Sequence, residues 1–377
     1  MNKRRYVLLF GCVLLCAAIV VLVKVLVFPV EDTDGEHETR TESPMIQALI
    51  TQAVQMAGGG ERGENREDGH AENPTPTDTA APAQYPAPEY PFRTEEVTIT
   101  VPNLSREYTL AWVSDVHMIT DQEPAHDMMD EFLEVIEQRY ELMFVTGDAE
   151  PVHSADLWPE IVRFLNYGDF DGIIFGGDIM DYCSHSNMDA FMREYEKINP
   201  NVPRLYLRAD HDYGAWYGGE AWTQEDVYEL HQRLDGDSLY EKYLDFGEFM
   251  IIGINGSTVN MTPEQYEIVR RLYDEGRPTI IATHVPYASW IDGSLEDLSM
   301  EVRGVKYYWG DGSYIPDEIT WKYLTEMIYS ADTHVCGVLA GHLHACWDGP
   351  LTEQVPQHIF SPAFQGVVGI IHIVSEG

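Results

Sequence analysis

Five apolar runs of strand length are each followed directly by aspartate, histidine or both. In α/β folds, ligands bind in the crevice at the carboxyl ends of the strands. Aspartate and histidine at successive strand ends therefore favour a metal site along the edge of a sheet. The segments that follow the five runs are Asp115-Val116-His117, Gly177-Asp178-Ile179-Met180-Asp181, Ala209-Asp210-His211-Asp212, His284 and Gly341-His342-Leu343-His344.

From about Pro91 onward, these runs alternate with segments of helical spacing, which is typical of an α/β domain. The predicted strands are Tyr108–Ser114, Gly172–Gly176, Pro203–Leu207, Phe249–Ile254, Pro278–Thr283, Val335–Ala340 and Val367–Ile373. The predicted helices are Leu157–Leu165, Met188–Ile198, Glu225–Leu234, Pro263–Tyr273 and Pro316–Tyr329. The fourth helix has clear start signals, because Thr262 is a candidate N-cap and Gln265 completes a capping box with it.

Each strand-end segment is a weak signal when it is taken alone. An Asp-x-His after a strand is commonly a turn with a solvated carboxylate, and a single histidine such as His284 is commonly a core residue. The pair His342 and His344 is stronger, because alternate residues of an extended chain face the same side and can bind one ion. The occurrence of all five segments in one chain makes chance an unsatisfactory explanation.

In this order, the segments resemble the calcineurin-like metallophosphoesterase superfamily. Its pattern is Asp-x-His, Gly-Asp-x-x-Asp, Gly-Asn-His-Asp/Glu, a single His and Gly-His-x-His. The resemblance covers about Tyr108 to Trp347, roughly two-thirds of the chain. It implies an α/β fold of the four-layer α/β/β/α sandwich type that carries a two-metal centre.

The resemblance also implies a role for each matching residue. The first metal would be bound by Asp115, His117, Asp178 and His344. The second would be bound by Asp178 as the bridging ligand, with Asp210, His284 and His342. His211 matches the catalytic histidine, while Asp181 and Asp212 would support the ligands from behind.

The chemistry of such a site explains this choice of residues. Two divalent ions about 3.5–4 Å apart can bind the phosphoryl oxygens and a bridging hydroxide that attacks phosphorus in line. His211 would then protonate the leaving oxygen as a general acid. Mixed imidazole and carboxylate ligands suit Mn, Fe or Zn better than Ca. The expected activity is metal-dependent hydrolysis of a small phosphate mono- or diester.

The chain departs from the pattern at two places. Ala209-Asp210 replaces Gly-Asn, so a carboxylate stands where the family has a neutral amide, which should preserve metal binding but weaken phosphate affinity. Thr146-Gly147-Asp148 is a second Gly-Asp, but it lacks the second aspartate. We therefore choose Asp178 as the bridging residue and interpret the segment between Arg139 and Trp158 as an insertion near the site.

Aromatic residues follow the motifs closely, and most of them are expected to pack in the core. A minority would form a pocket wall against which a base, sugar or aryl group could stack. Arg208 could pair with a phosphate or form a salt bridge within the domain. The candidate substrate-pocket residues are Arg208, Tyr213, Tyr287 and Trp347.

The N-terminus has the pattern of a membrane anchor. Basic residues at positions 3–5 precede an uncharged run, Tyr6–Val23, and the apolar character continues to Val30 after Lys24. Such a run can cross a hydrocarbon core of about 30 Å. We expect a cytoplasmic tail at 1–5, a single-pass signal-anchor at 6–30 and a catalytic domain on the extracytoplasmic side. A cleaved signal peptide is the alternative, although its apolar region would usually be shorter.

Residues 31–92 have the composition of a disordered acidic and proline-rich linker, which places the phosphoesterase domain at 93–377. Gly58–Gly63 matches a dinucleotide-binding pattern, but no strand precedes it and no apolar helix follows it. With 23 Lys+Arg against 63 Asp+Glu, the chain has a net charge of −40 and should not bind nucleic-acid polymers. Five cysteines exclude a disulfide scaffold, and the sequence leaves open whether Cys336 and Cys346 form a disulfide.

Three functions fit these features, and the tethered phosphoesterase is favoured. The second is a protein phosphatase, which would need a shallow cleft. The third is a metal-bearing binding or sensory ectodomain without turnover, against which the intact His211 and complete ligand set argue. The sequence does not specify the substrate, the metals or the oligomeric state.

Overall fold

The computed structural model describes residues 85–120, 139–140, 145–147, 150–214, 232, 234, 238–256 and 260–376. The predicted tail and anchor, most of the predicted linker and nearly all of the predicted helix Glu225–Leu234 lie outside these ranges. Within them, no helix combines the length and the apolar character that crossing a bilayer requires.

The described strands form two sheets. They are β1 (Arg93–Val101), β2 (Tyr108–Val113), β3 (Gly172–Phe175), β4 (Arg204–Tyr206), β5 (Tyr243–Asp245), β6 (Met250–Ile254), β7 (Thr279–Thr283), β8 (Val335–Ala340), β9 (Trp347–Pro350), β10 (Pro356–Ile359) and β11 (Val367–Ser375). The first sheet has the order β1-β11-β2-β3-β4 and the second β5-β6-β7-β8-β10-β9. In each sheet, the strands that precede the motifs are parallel neighbours, so their carboxyl ends meet at one edge.

Helices lie between the strands in the chain. They are α1 (Ser154–Tyr167), α2 (His185–Tyr195), α3 (Asp210–Gly214), α4 (Pro263–Tyr273), α5 (Ser294–Arg303) and α6 (Glu318–Tyr323), with a π-helical turn at Leu324–Ile328 and a 3₁₀ turn at Ala363–Gln365. Six of the seven predicted strands and α4 are recovered within one residue at each end, and the seventh, β11, extends two residues further than predicted.

Three apolar clusters show how the sheets and helices are layered. One cluster lies between the sheets and includes Trp112 of the first sheet and Ile280 of the second. The outer face of the first sheet packs against α1 and α2, where Trp158 stacks on Phe191 with ring centroids 4.5 Å apart. The outer face of the second sheet packs against α4 and α6, which contributes Tyr323. The order of layers is therefore helix, sheet, sheet, helix, as the resemblance implied.

Two elements, β1 and α5, were not predicted from the sequence, and each has a narrow buried face. In β1, the exposed and half-buried residues extend as far as Thr98, and only Ile99 and Val101 are fully buried. In α5, the buried residues are Leu295 and Ser299. Val97, Ile99 and Val101 of β1 do alternate with threonines, so the sequence carries a short signal for this strand that the predicted strands did not include.

At the start of α4, the predicted N-cap is confirmed and the predicted capping box is not. The Thr262 side chain accepts a hydrogen bond from the Gln265 N–H at 3.1 Å, as an N-cap should. The Gln265 side chain does not complete the capping box, because its amide donates instead to the Asn255 carbonyl at 3.1 Å. Gln265 thus ties the helix to the end of β6.

The last residues of the predicted linker pack on the domain. Tyr90 and Phe92 have ring centroids 4.8 Å apart, and Phe92 lies 5.4 Å from Phe164 of α1. These residues therefore belong with the domain, whose N-terminal boundary lies before residue 93. The three described cysteines, Cys183, Cys336 and Cys346, are free thiols, so the disulfide that the sequence left open is absent from the structure.

Candidate active site

The strand-end segments of both sheets are joined by hydrogen bonds. The Asp115 N–H donates to the Gly177 carbonyl at 2.9 Å, and the His117 N–H donates to the Asp178 carbonyl at 3.0 Å. His284 Nδ1 lies 2.9 Å from the Gly176 carbonyl oxygen, which connects the second sheet to the first. The ends of the two sheets therefore form one continuous edge.

Backbone strain is concentrated in the predicted site residues. Positive φ is uncommon in residues other than glycine and costs about 1–3 kcal/mol at each position. Among the described residues, Asn103 is the one non-glycine residue outside the site with this conformation. The others are Asp115 (52°), His117 (46°), Asp178 (51°), His342 (71°) and His344 (56°). Such strain points to a functional constraint, since packing alone does not require it.

Two glycines of the motifs allow the loops to approach each other. Gly177 has a φ of 95°, and a Cβ there would lie 2.8 Å from Nδ1 of His284. A Cβ on Gly341 would lie 2.5 Å from Oδ2 of Asp115. Glycine is therefore required before Asp178 and before His342 for steric reasons.

One group of candidate metal ligands consists of Asp115, His117 and His344, whose ligand atoms lie within 4.8 Å of one another. The Nε2 atoms of His117 and His344 are 3.1 Å apart, and His344 Nε2 is 3.3 Å from Oδ1 of Asp115. Nδ1 of His117 faces Asp181 at 3.1 Å, which leaves Nε2 directed at the group. A carboxylate behind a ligand histidine is a common arrangement in metal sites.

A second group consists of Asp178, Asp210, His284 and His342, with ligand atoms within the same 4.8 Å limit. Because His284 uses Nδ1 for the Gly176 carbonyl, its Nε2 is available as a ligand. Within the described part of the chain, Nε2 of His342 is buried and has no hydrogen-bond partner, and the buried Nε2 of His284 faces the Oδ2 of Asp178, another member of the group, at 3.1 Å. Buried imidazole nitrogens of this kind fit a bound cation.

Asp178 lies between the two groups. Its Oδ2 is 3.1 Å from Nε2 of His284 in the second group and 3.8 Å from Nε2 of His117 in the first. One carboxylate is therefore within reach of both groups, as a bridging ligand requires.

His211 lies beside the groups and is held by Asp181. Its Nδ1 is 2.7 Å from the Asp181 carbonyl oxygen, and its ring is 4.7 Å from that of His117 in an edge-on arrangement. The His211 N–H donates to Oδ1 of Asp178 at 3.3 Å. The imidazole is thus oriented through its Nδ1.

Burial and charge act in opposite directions on the histidine pKa values. Burial lowers the pKa of His117 to about 4, so this imidazole is neutral and able to bind a metal. Burial also opposes the charge on His211, but the carboxylates of Asp178 and Asp181 outweigh it and raise the pKa of His211 to about 10. His211 therefore carries a proton at neutral pH, which is the form that a general acid needs.

Asp212 supports the backbone of the site. Its Oδ1 accepts the N–H groups of Ile179 and Met180, both at 2.9 Å, and its Oδ2 accepts that of Ala209 at 3.1 Å. Burial and the charge of Asp178 raise the pKa of Asp212 to about 7 despite these bonds. The side chain therefore fixes the loops after β3 and β4 relative to each other.

The comparison with known families agrees with this geometry. The family model described as calcineurin-like phosphoesterase matches residues 108–346, which include all seven residues of the two groups. The chain belongs to the calcineurin-like phosphoesterase family. No curated protein matches the chain.

Solved structures that are similar to this phosphoesterase are distant in sequence. A dimetal phosphatase from Danio rerio is 12% identical, with 68% of this chain and 88% of that chain covered and a TM-score of 0.42. A purple acid phosphatase from yellow lupin is 12% identical, with 72% and 45% covered and a TM-score of 0.38. A 5′-nucleotidase from Candida albicans is 14% identical, with 73% and 47% covered and a TM-score of 0.35. This chain therefore spans less than half of the latter two proteins.

The predicted pocket wall of the phosphoesterase needs correction. Tyr287 is fully buried, stacks on Trp309 with centroids 5.6 Å apart, and its hydroxyl lies 3.0 Å from that of Tyr323, so it is a core residue. Trp347 is 8% exposed and donates its indole N–H to Ser294 at 2.9 Å. Arg208 is 2% exposed, so it is buried in the domain. The Tyr213 side chain lies outside what the structure describes.

Two tyrosines that the sequence did not single out flank the second group. Tyr307 stacks on the His342 ring with centroids 4.2 Å apart, and Tyr314 meets the same ring edge-on at 5.3 Å. Arg303 donates to the His342 carbonyl at 2.6 Å. All three residues belong to the unpredicted α5 and the loop after it, so strand-end motifs gave no signal for them.

The predicted insertion reaches the site through Arg139, whose guanidinium donates to both oxygens of Asp181. Thr146 lies in a turn in which its hydroxyl accepts the Val152 N–H at 2.9 Å. Asp148 lies outside the described residues. Asp178 is the Gly-Asp aspartate that the structure places with the other candidate ligands.

Proposed function

We propose that this chain is a membrane-anchored metallophosphoesterase that hydrolyses a small phosphate mono- or diester outside the cytoplasm. The observation that supports it best is the convergence of seven motif residues into two ligand groups with Asp178 between them. His211 lies next to these groups in a protonated state that suits acid catalysis. The anchored, extracytoplasmic location is supported by the charge and apolar pattern of residues 1–30.

The donor set fits two divalent transition-metal ions. We assign Asp115, His117, Asp178 and His344 to one ion, and Asp178, Asp210, His284 and His342 to the other. The buried Nε2 atoms of His284 and His342 in the second group, and the close pair of Nε2 atoms in the first, would be satisfied by such ions. Imidazole and carboxylate ligands favour Mn, Fe or Zn. When bound, the ions would supply Lewis-acid polarisation of the phosphoryl group and an activated water.

The chain's own residues supply the remaining steps. Asp181 holds His211 through Nδ1, and we assign to His211 the proton that the leaving oxygen takes up as the ester bond breaks. Asp212 keeps the loops that carry Asp178 and His211 in register. Tyr307 and Tyr314 close one side of the second group.

The decisive test uses the full-length chain purified in detergent. We expect hydrolysis of 4-nitrophenyl phosphate or bis(4-nitrophenyl) phosphate that chelation abolishes and added Mn restores. Two bound ions per chain without hydrolysis of either ester would instead favour the binding or sensory function. Hydrolysis confined to phosphoproteins would favour the protein phosphatase.

The Asp210→Asn variant, which restores the residue of the family pattern, is expected to bind its second metal less tightly and phosphate esters more tightly. Three carboxylates against two divalent ions leave a smaller positive charge than two carboxylates do, so native Asp210 strengthens metal binding and weakens anion binding. We expect turnover within about tenfold of native, a lower KM and stronger inhibition by inorganic phosphate.

Titrations with Mn and with phosphate measure these two effects separately. Asp189→Asn is the matched control, since it removes the charge of an exposed carboxylate on α2 and should change neither titration. Stronger phosphate inhibition of the native chain than of Asp210→Asn would contradict the charge argument.

A further inference from the structure

Arg139 is the single lysine or arginine between Arg106 and Arg163 in the sequence. It belongs to the segment that separates the first motif from the second, and it is 8% exposed. A buried guanidinium in so acidic a stretch needs a specific anionic partner.

That partner is Asp181, the last residue of the Gly-Asp-x-x-Asp motif. Nε of Arg139 donates to Oδ2 of Asp181 at 2.8 Å, and Nη2 donates to Oδ1 at 2.6 Å. Asp181 is completely buried. Such a two-point contact fixes both the charge and the plane of the carboxylate. Burial would raise the pKa of Asp181, but the bonds from Arg139 and the two histidines hold it well below its ordinary value.

Asp181 in turn holds two histidines of the site. Its Oδ1 is 3.1 Å from Nδ1 of His117, a proposed metal ligand. Its carbonyl oxygen is 2.7 Å from Nδ1 of His211, and Oδ1 is 3.4 Å from the same nitrogen. The backbone and the side chain of Asp181 therefore both face Nδ1 of the proposed acid.

We propose that Arg139 is a positioning residue for proton transfer, which acts by locking Asp181 and thereby directing the imidazole of His211 toward the leaving group. This inference rests on the proposed phosphoesterase function and adds to it a residue outside the family motifs. The segment between the first two motifs thus contributes to the reaction through a guanidinium that is bonded to Asp181.

The test compares leaving groups in the full-length Arg139→Gln variant. Protonation of the leaving oxygen matters greatly for an alkyl phosphate and little for 4-nitrophenyl phosphate, whose leaving group is already stable as an anion. Supporting residues behind a site typically change activity by about 10–100-fold. We expect a loss in kcat of that size on the alkyl ester, a loss within about threefold on the nitrophenyl ester, and an unchanged KM.

The position of the proton on the His211 ring can be measured independently of turnover. In the zinc-loaded protein, at a pH above the pKa of His211 where the imidazole carries a single proton, nitrogen-detected NMR should show that proton on Nδ1 in the native chain and exchanging between the two ring nitrogens in Arg139→Gln. Arg139→Lys keeps the charge but cannot make the two-point contact, so we expect it to resemble Arg139→Gln. Arg163→Gln is the control, because Arg163 pairs with Glu160 on the surface of α1 and its loss should change neither measurement.

The outcomes separate this inference from the proposed function. Equal losses on both esters, or native kinetics and a native His211 tautomer in the Lys variant, would overturn the positioning role while leaving the phosphoesterase intact. Should Arg139→Gln fail to fold, Arg139→Lys decides the matter by the same two measurements. Absence of hydrolysis by the native chain would overturn the proposed function. The His211 tautomer in the Arg139 variants would still show whether the contact between Arg139 and Asp181 orients His211.

Discussion

The Asp178→Asn variant is expected to lose bound metal and phosphoesterase activity together. Oδ2 of Asp178 lies 3.1 Å from Nε2 of His284 and 3.8 Å from Nε2 of His117, so its charge serves both ligand groups. Replacing the carboxylate with an amide removes the negative charge that holds two cations close together. We expect metal content to fall below one ion per chain and turnover to fall to background.

Asparagine is the appropriate replacement because of the backbone. Asp178 has a φ of 51°, and asparagine tolerates this left-handed conformation better than alanine does. A loss in Asp178→Asn therefore reports ligation, whereas Asp178→Ala adds strain to it. Metal analysis, activity and thermal unfolding of the same preparation separate the two effects.

His344→Ala provides the contrast that tests the bridge. His344 belongs to the first group alone, so this variant should lose one ion and keep the second. If Asp178→Asn also kept one ion, Asp178 would belong to a single site and the proposed bridge would be wrong.

The positions of the candidate ligands were predictable because the chemistry lies at the ends of strands. Parallel strands bring successive strand ends to one edge, so a residue such as Asp115 can be placed from its own short segment. His284 was found in the same way, although it stands alone after β7. A short local sequence is therefore sufficient to predict the position of a ligand where the fold brings the strand ends to a common edge.

Contacts across long separations were not predictable in the same way. Arg139 meets Asp181 from 42 positions away, and Tyr307 meets His342 from an unpredicted loop. Tyr287 illustrates the opposite error, because an aromatic residue three positions after a ligand packs into the core and not into the pocket. Sequence spacing shows which residues follow a strand but not which side of the loop faces solvent.

The His211→Ala variant is expected to reduce turnover by about 10²–10⁴-fold while the chain retains its metal ions. Nδ1 of His211 is bonded to the Asp181 carbonyl oxygen, and His211 is not among the residues assigned as ligands. The loss should be largest for esters with poor leaving groups, because these depend most on a proton donor. The matched control is His185→Ala. It removes an exposed histidine in the first turn of α2 and should keep native turnover.

The pH dependence of kcat tests directly whether His211 donates the proton. The charges of Asp178 and Asp181 raise the pKa of His211 to about 10, so the acid is protonated at neutral pH and loses its proton as the pH rises. Bound cations offset the charge of Asp178 and move this loss to a lower pH. We therefore expect kcat of the native chain to fall on the alkaline side and His211→Ala to lack that fall. Loss of one metal ion in His211→Ala, or an unchanged alkaline limb, would show that His211 is a ligand or a bystander and not the proton donor.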